Sequence, residues 1–102
     1  ITITSVEVIK ENIPNDVSLK QNYPNPFNPT TTIEFQLNKD QEVDLAIYNI
    51  NGELITKLVN SSRLSAGSYK VTFDASKLAS GNYFYKLSAG GQIFTNKMTL
   101  IK

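Results

Sequence analysis

Apolar and polar residues alternate along much of this chain. From Thr31 the period is two: Ile33, Phe35 and Leu37 share one face, with Thr32, Glu34 and Gln36 on the other. Successive side chains of a strand point to opposite faces, so this pattern predicts a half-buried strand. Val43, Leu45 and Ile47 repeat it, with Asp44, Ala46 and Tyr48 facing away. Tyr69, Val71 and Phe73 predict another strand, entered through Ala66-Gly67, and Tyr83, Tyr85 and Leu87 a further one. Residues 3 to 9 alternate more loosely, Ile3 and Ser5 against Thr4, Val6 and Val8, and Val17-Ser18-Leu19 is a short alternation.

Turn residues separate these runs. Asn51-Gly52 lies between Ile47-Tyr48-Asn49-Ile50 and the run from Glu53 to Leu58. Both residues tolerate positive φ, which predicts a β-hairpin. Gly90-Gly91, followed by Gln92 to Lys102, predicts a second. Asp74 to Gly81 is the one place for a helical turn, with Asp74 as N-cap and Gly81 as its stop. Asn12-Ile13-Pro14-Asn15-Asp16 breaks the pattern near the start. Gln21 to Thr30 carries Pro24, Pro26 and Pro29 and reads as a stiff loop with two large rings, Tyr23 and Phe27, since Pro fixes φ and lacks an N–H. Strands spaced this closely predict an all-β, immunoglobulin-like two-sheet antiparallel sandwich of about seven strands.

Composition agrees. The 102 residues suit one domain, and 40% are apolar, enough for a packed core. Val, Ile, Thr, Tyr and Phe number 35 against five Ala, which favours strand over helix. Ten bases against nine acids leave a net charge of +1, so no field exists to hold nucleic acid or anionic membrane. No run approaches the roughly 20 apolar residues of a membrane helix. The first residues, Ile-Thr-Ile-Thr-Ser-Val-Glu-Val, lack the plan of an export signal. Residues 1–16 therefore read as a linker or first strand from an upstream protein, and 17–102 as the domain.

His and Cys are both absent. That removes imidazole and thiolate metal ligands, a Cys nucleophile, a Ser-His-Asp triad and disulfides. Glu34 reads as a solvated strand position. Asp40, Glu42 and Asp44 alternate, an arrangement that suits a hard cation, but without the glycine and distal Glu of an EF-hand loop they read as charges on a strand edge. The expectation is a non-catalytic chain with no catalytic residue, cofactor or metal.

Two aromatic features remain. Tyr48 and Phe84 fall opposite their strands' main apolar sets, where exposed rings would give a sugar-binding platform and buried ones core or rim packing. In the proline loop, Phe27 is expected to plug one end of the sandwich with Tyr23 packed alongside, and the Asn side chains to bond local backbone.

The loop and the blocks after it carry a resemblance. Leu19-Lys20-Gln21-Asn22-Tyr23-Pro24-Asn25-Pro26-Phe27-Asn28-Pro29-Thr30-Thr31-Thr32-Ile33-Glu34-Phe35 resembles the opening motif of the type A C-terminal sorting domains of the type IX (Por) secretion system. Val43 to Asn49 with Asn51-Gly52, Ala66-Gly67-Ser68-Tyr69, Leu78 to Leu87 and the ending Lys97-Met98-Thr99-Leu100-Ile101-Lys102 are similar to that family in the same order. Asn49 and Asn82 depart from it, standing where many relatives have Asp and Val. The resemblance implies an Ig-like sandwich at the end of a secreted precursor, similar in fold to an Ig-like domain of the flagellar hook-cap protein.

As partners it implies the outer-membrane type IX translocon with its shuttle proteins, a sortase-like cysteine peptidase, and an upstream cargo domain in the same precursor. The implied route is the periplasm, then the cell surface or medium. Gly81, Tyr83, Lys97, Met98, Leu100 and Lys102 are the recognition residues it implies, and Tyr23, Pro24, Asn25, Pro26, Phe27, Asn28 and Pro29 the structural loop. A last strand at a sheet edge would also offer unpaired backbone for strand addition. The rival readings are a non-catalytic accessory or carbohydrate-binding module of an extracellular enzyme, and a hook-cap-type structural domain.

Overall fold

A computed structural model describes residues 5–9 and 14–102, with Ser5–Ile9 as strand backbone alone. The expectations for Ile3, Thr4, Asn12 and Ile13 lie outside the described residues. Among the described residues eight strands form: β1 (Ser5–Ile9), β2 (Ser18–Leu19), β3 (Thr30–Leu37), β4 (Gln41–Tyr48), β5 (Leu54–Leu64), β6 (Gly67–Asp74), β7 (Gly81–Ala89) and β8 (Gln92–Leu100). Strand β2 has two residues, so seven longer strands carry the architecture.

One sheet has the order β1-β6-β3-β2 and the other β5-β4-β7-β8, every pair antiparallel. The central pairs, β3 with β6 and β4 with β7, join strands that are not consecutive in the chain. This is the crossed connectivity of an immunoglobulin-like sandwich. Ile33, Phe35, Leu37, Tyr69, Val71 and Phe73 of the first sheet face Val43, Leu45, Ile47, Tyr85 and Leu87 of the second in one core. Phe35 and Tyr69, cross-strand partners within the first sheet, stack on its inner face at 5.2 Å between ring centroids.

Each sheet entry has its own brace. The Tyr83 hydroxyl donates to the Ala79 carbonyl at 2.7 Å, and the Tyr69 hydroxyl to that of Ser65 at 2.7 Å. Both are tyrosine corners, in which a ring enters the core while its hydroxyl ties down the preceding turn.

Three local expectations change. The Asn51-Gly52 hairpin forms, but only Gly52 takes positive φ (81°), and the loop is three residues long, bounded by Asn49 and Glu53. Asn49 decides this: its Oδ1 accepts the amides of Asn51 (2.9 Å) and Glu53 (3.0 Å), stabilising a turn followed by a glycine bulge. Beyond Leu58 the strand continues to Leu64 through register shifts in the β4–β5 pair. Asp74 does cap a turn, accepting the Ser76 amide at 2.9 Å, but a single bond from Leu78 N to Ala75 O completes it. Gly81 then opens β7 rather than ending a helix. At Gly90-Gly91 the tight turn forms as expected, with φ of 54° and 88°.

Candidate functional site

The proline loop does not sit apart from the sandwich. It lies along the outer edge of β8 and clasps it. Residues before the loop run beside β3: Lys20 N donates to Glu34 O, and Tyr23 and Thr32 exchange two bonds, all at 2.9 Å. Each proline lacks an N–H, so the loop cannot continue as a strand. Its three X-Pro bonds are cis. Between Pro26 and Pro29, however, Phe27 keeps both backbone groups. Its amide donates to Thr99 O and its carbonyl accepts from Ile101 N, both at 2.9 Å, making a parallel bridge to Leu100.

Side chains extend the clasp. The Thr99 amide donates to Asn25 Oδ1 at 3.0 Å, and Gln21 Nε2 donates to Lys97 O at 2.9 Å. The Phe27 ring is 2% exposed and meets Phe73 at 6.4 Å between centroids, so it plugs the end of the sandwich as expected. Tyr23 does not pack beside it: its ring is 78% exposed. Its backbone pairing with Thr32 holds it at the β3 edge, away from the Phe27 pocket. The Asn side chains also differ from expectation. Asn22 does bond locally, Nδ2 to Pro24 O at 3.1 Å, but Asn25 reaches the last strand instead.

A buried polar knot anchors the clasp to the core. Asn22, 2% exposed, donates its amide to the Tyr85 hydroxyl at 2.7 Å and Nδ2 to Thr31 Oγ1 at 2.9 Å. The Tyr85 hydroxyl donates in turn to Lys20 O at 2.8 Å and accepts from Asn96 Nδ2 at 3.3 Å. Thr31 Oγ1 donates to Pro24 O at 2.8 Å. Burial pushes the Tyr85 phenol above its ordinary value, with the bonds from Asn96 and Asn22 opposing. Such a knot stays neutral and satisfied, which rigidifies it.

The six recognition candidates divide by burial. Met98 and Leu100 are fully enclosed and Tyr83 nearly so, all three in the core. Gly81, Lys97 and Lys102 are exposed. Lys102 folds back over the end of the sandwich, Nζ donating to Ser76 O at 2.6 Å and its amide to Ser80 Oγ at 3.1 Å. Gly81 pairs with Leu100 in the ladder. The expected unpaired edge at the chain's end is therefore closed, because Gln21, Asn25 and Phe27 occupy the outward groups from the Lys97 carbonyl to the Ile101 amide. Contacts of this kind span the whole domain and leave no local pattern in the sequence.

The remaining candidates are also placed. Tyr48 and Phe84 are cross-strand partners on the outer face of their sheet, and Lys86 Nζ stands 4.9 Å from the Tyr48 ring centroid, covering that ring. Asp44 accepts the Ser61 amide at 2.9 Å and pairs with Lys57 at 3.4 Å. Partial burial would raise its pKa, but the Ser61 bonds and Lys57 outweigh it and hold the carboxyl below its ordinary value. Asp40 accepts the Ala66 amide at 3.1 Å. These carboxylates brace loops and a bulge, and among the described residues no group of three or more metal-ligating side chains gathers.

A family described as Secretion system C-terminal sorting domain matches residues 21–102, from the first clasp residue to the last residue of the chain. Among curated proteins no sequence matches. A solved structure, CopC from Methylosinus trichosporium OB3b, is similar at a TM-score of 0.47 and 19% identity, covering 82% of this chain and 90% of that one.

Proposed function

The chain belongs to the family of secretion-system C-terminal sorting domains, and from that membership we propose that it is the address label of a longer precursor, read by the type IX machinery at the outer membrane. The single observation carrying this reading is the family match over residues 21–102. The clasp supports it physically, since both ends of the matched block are bonded into one rigid unit. An upstream cargo is carried to the cell surface or the medium. Passage through the periplasm, hand-over by shuttle proteins and removal by a sortase-like cysteine peptidase complete the proposal.

Chemistry on the domain itself plays no part in this reading. Three of its carboxylates serve the fold: Asp44 bonds Ser61 and Lys57, Asp40 the Ala66 amide, and Asp74 the Ser76 amide. The test is a fusion of residues 1–102 behind a signal peptide and a fluorescent reporter, expressed in a bacterium with type IX machinery. Export is expected, together with its loss in a translocon-deletion strain. Equal export from both strains overturns the reading.

A further inference from the structure

The clasp covers only part of β8. The β7–β8 ladder runs without a register shift from the Ala89–Gln92 pair to the Gly81–Leu100 pair. The groups that meet the clasp belong to Lys97, Thr99 and, just past the strand, Ile101. In an antiparallel ladder, alternate residues turn their backbone groups to opposite sides. Odd-numbered positions of β8 therefore face away from β7, and Thr95 and Ile93 are the next two. Among the described residues, nothing bonds the outward amide and carbonyl of either one, nor the amide of Lys97.

This stretch differs from the opposite edge of the same sheet. Strand β5 is broken by register shifts, and Ser61, at φ 45°, is pinned there by Asp44. A bulged edge resists strand pairing. The β8 stretch is regular, and it continues an edge that already accepts backbone bonds from Phe27. Its outward face carries Ile93, 64% exposed, then Thr95 and Lys97, both exposed.

Charge narrows the occupant. Residues 81–102 contain Lys86, Lys97 and Lys102 but neither Asp nor Glu, and residues 17–33 contain Lys20 and no acid. The β8 side of the molecule is thus basic, although the whole chain is near neutral. We infer that Ile93–Lys97 is a strand-addition site for an extended acidic segment of the sorting machinery. The added strand places an apolar side chain beside Ile93 and a carboxylate beside Lys97, on the same face and four residues apart. Main-chain bonds supply the affinity and these two side chains the specificity. A second copy of β8 has no acid to set against Lys97. This inference rests on the sorting reading above.

Thr95→Pro provides the test, because the lost N–H points away from β7 and the ladder stays whole. In the reporter fusion, export of the Thr95→Pro protein is expected to fall to the translocon-deletion level with an unchanged melting temperature. Thr95→Ala should export normally. Lys97→Glu should lose export and Lys97→Arg should keep it. Normal export of folded Thr95→Pro overturns the edge site while leaving the sorting reading intact. Failure of the wild-type fusion to be exported overturns the sorting reading and this inference with it. If Thr95→Pro does not fold, Ile93→Lys decides: retained export overturns the site, lost export supports it. A concentration-dependent dimer of residues 1–102 that Ile93→Lys dissolves also overturns it, by showing a second copy as the occupant.

Discussion

Phe27 donates its amide to the Thr99 carbonyl at 2.9 Å and accepts the Ile101 amide at 2.9 Å, so one loop residue between prolines closes the end of the last strand. Phe27 and its two partners come from opposite ends of the family-matched block. Stability of the domain and presentation of its terminal segment are therefore linked through a single side chain and its backbone.

Phe27→Ala is expected to destabilise the domain by about 3–5 kcal/mol, from lost transfer energy and the unfilled space beside Phe73. A denaturant titration against the wild type measures this. An unchanged midpoint would contradict the enclosure of the ring.

Asn22 and Asn25 should differ. Asn22→Ala removes a buried amide that bonds Pro24 and Thr31, and is expected to cost about 1–3 kcal/mol. Asn25→Ala removes one exposed bond to Thr99, whose amide can turn to water, and should cost about 0.5–1.5 kcal/mol. Amide hydrogen exchange at Thr99 and Ile101 should accelerate more than the global stability change explains in the Asn25 variant.

In the last strand, stability and export should separate. Met98→Ala and Leu100→Ala each empty an enclosed site and should cost about 2–5 kcal/mol. Lys97→Ala combined with Lys102→Ala alters exposed side chains and should shift stability by about 0.5 kcal/mol or less, while weakening export of the fused reporter. Export that falls only as far as the melting temperature does would remove the lysines from recognition.

Tyr85 makes the fold sensitive to alkali. Burial raises the phenol pKa in the folded state, so the native protein holds this proton more tightly than the unfolded chain. The stabilisation is fully present below the ordinary value of 10.0 and is lost as pH rises through the folded pKa. Unfolding free energy should fall above that point, and Tyr85→Phe should flatten the slope. The same substitution leaves the buried Asn22 amide and the Lys20 carbonyl without their hydroxyl partner, costing about 1–3 kcal/mol at neutral pH. A slope identical to wild type would show that another group governs the alkaline limb.

Much of the sandwich was legible because the strand period is local. The faces Ile33-Phe35-Leu37, Val43-Leu45-Ile47 and Tyr83-Tyr85-Leu87 follow from spacing alone, and each is buried as spaced. Gly90-Gly91 reads directly as a tight turn, since both positions need positive φ. The hairpin at Asn51-Gly52 was less legible, because its type is set by the Asn49 side chain and not by the dipeptide. Ser61 carries no obvious bulge signal, and the continuation of β5 past Leu58 runs through a bulge at which Asp44 bonds Ser61.

The sequence by itself determined the alternating faces, the stiffness of a loop that lacks three amides, and a composition without imidazole or thiol. These properties depend on residue type and on neighbours within a few positions. Only the tertiary structure decided that Asn25 and Gln21 turn away from local backbone to meet Thr99 and Lys97, that Tyr23 faces water while Phe27 is enclosed, and that the open part of the last strand lies at Ile93 and Thr95 instead of at its end. Each of these depends on which polar group lies across a sheet edge. Two segments distant in the chain acquire that relationship only when both sheets have packed.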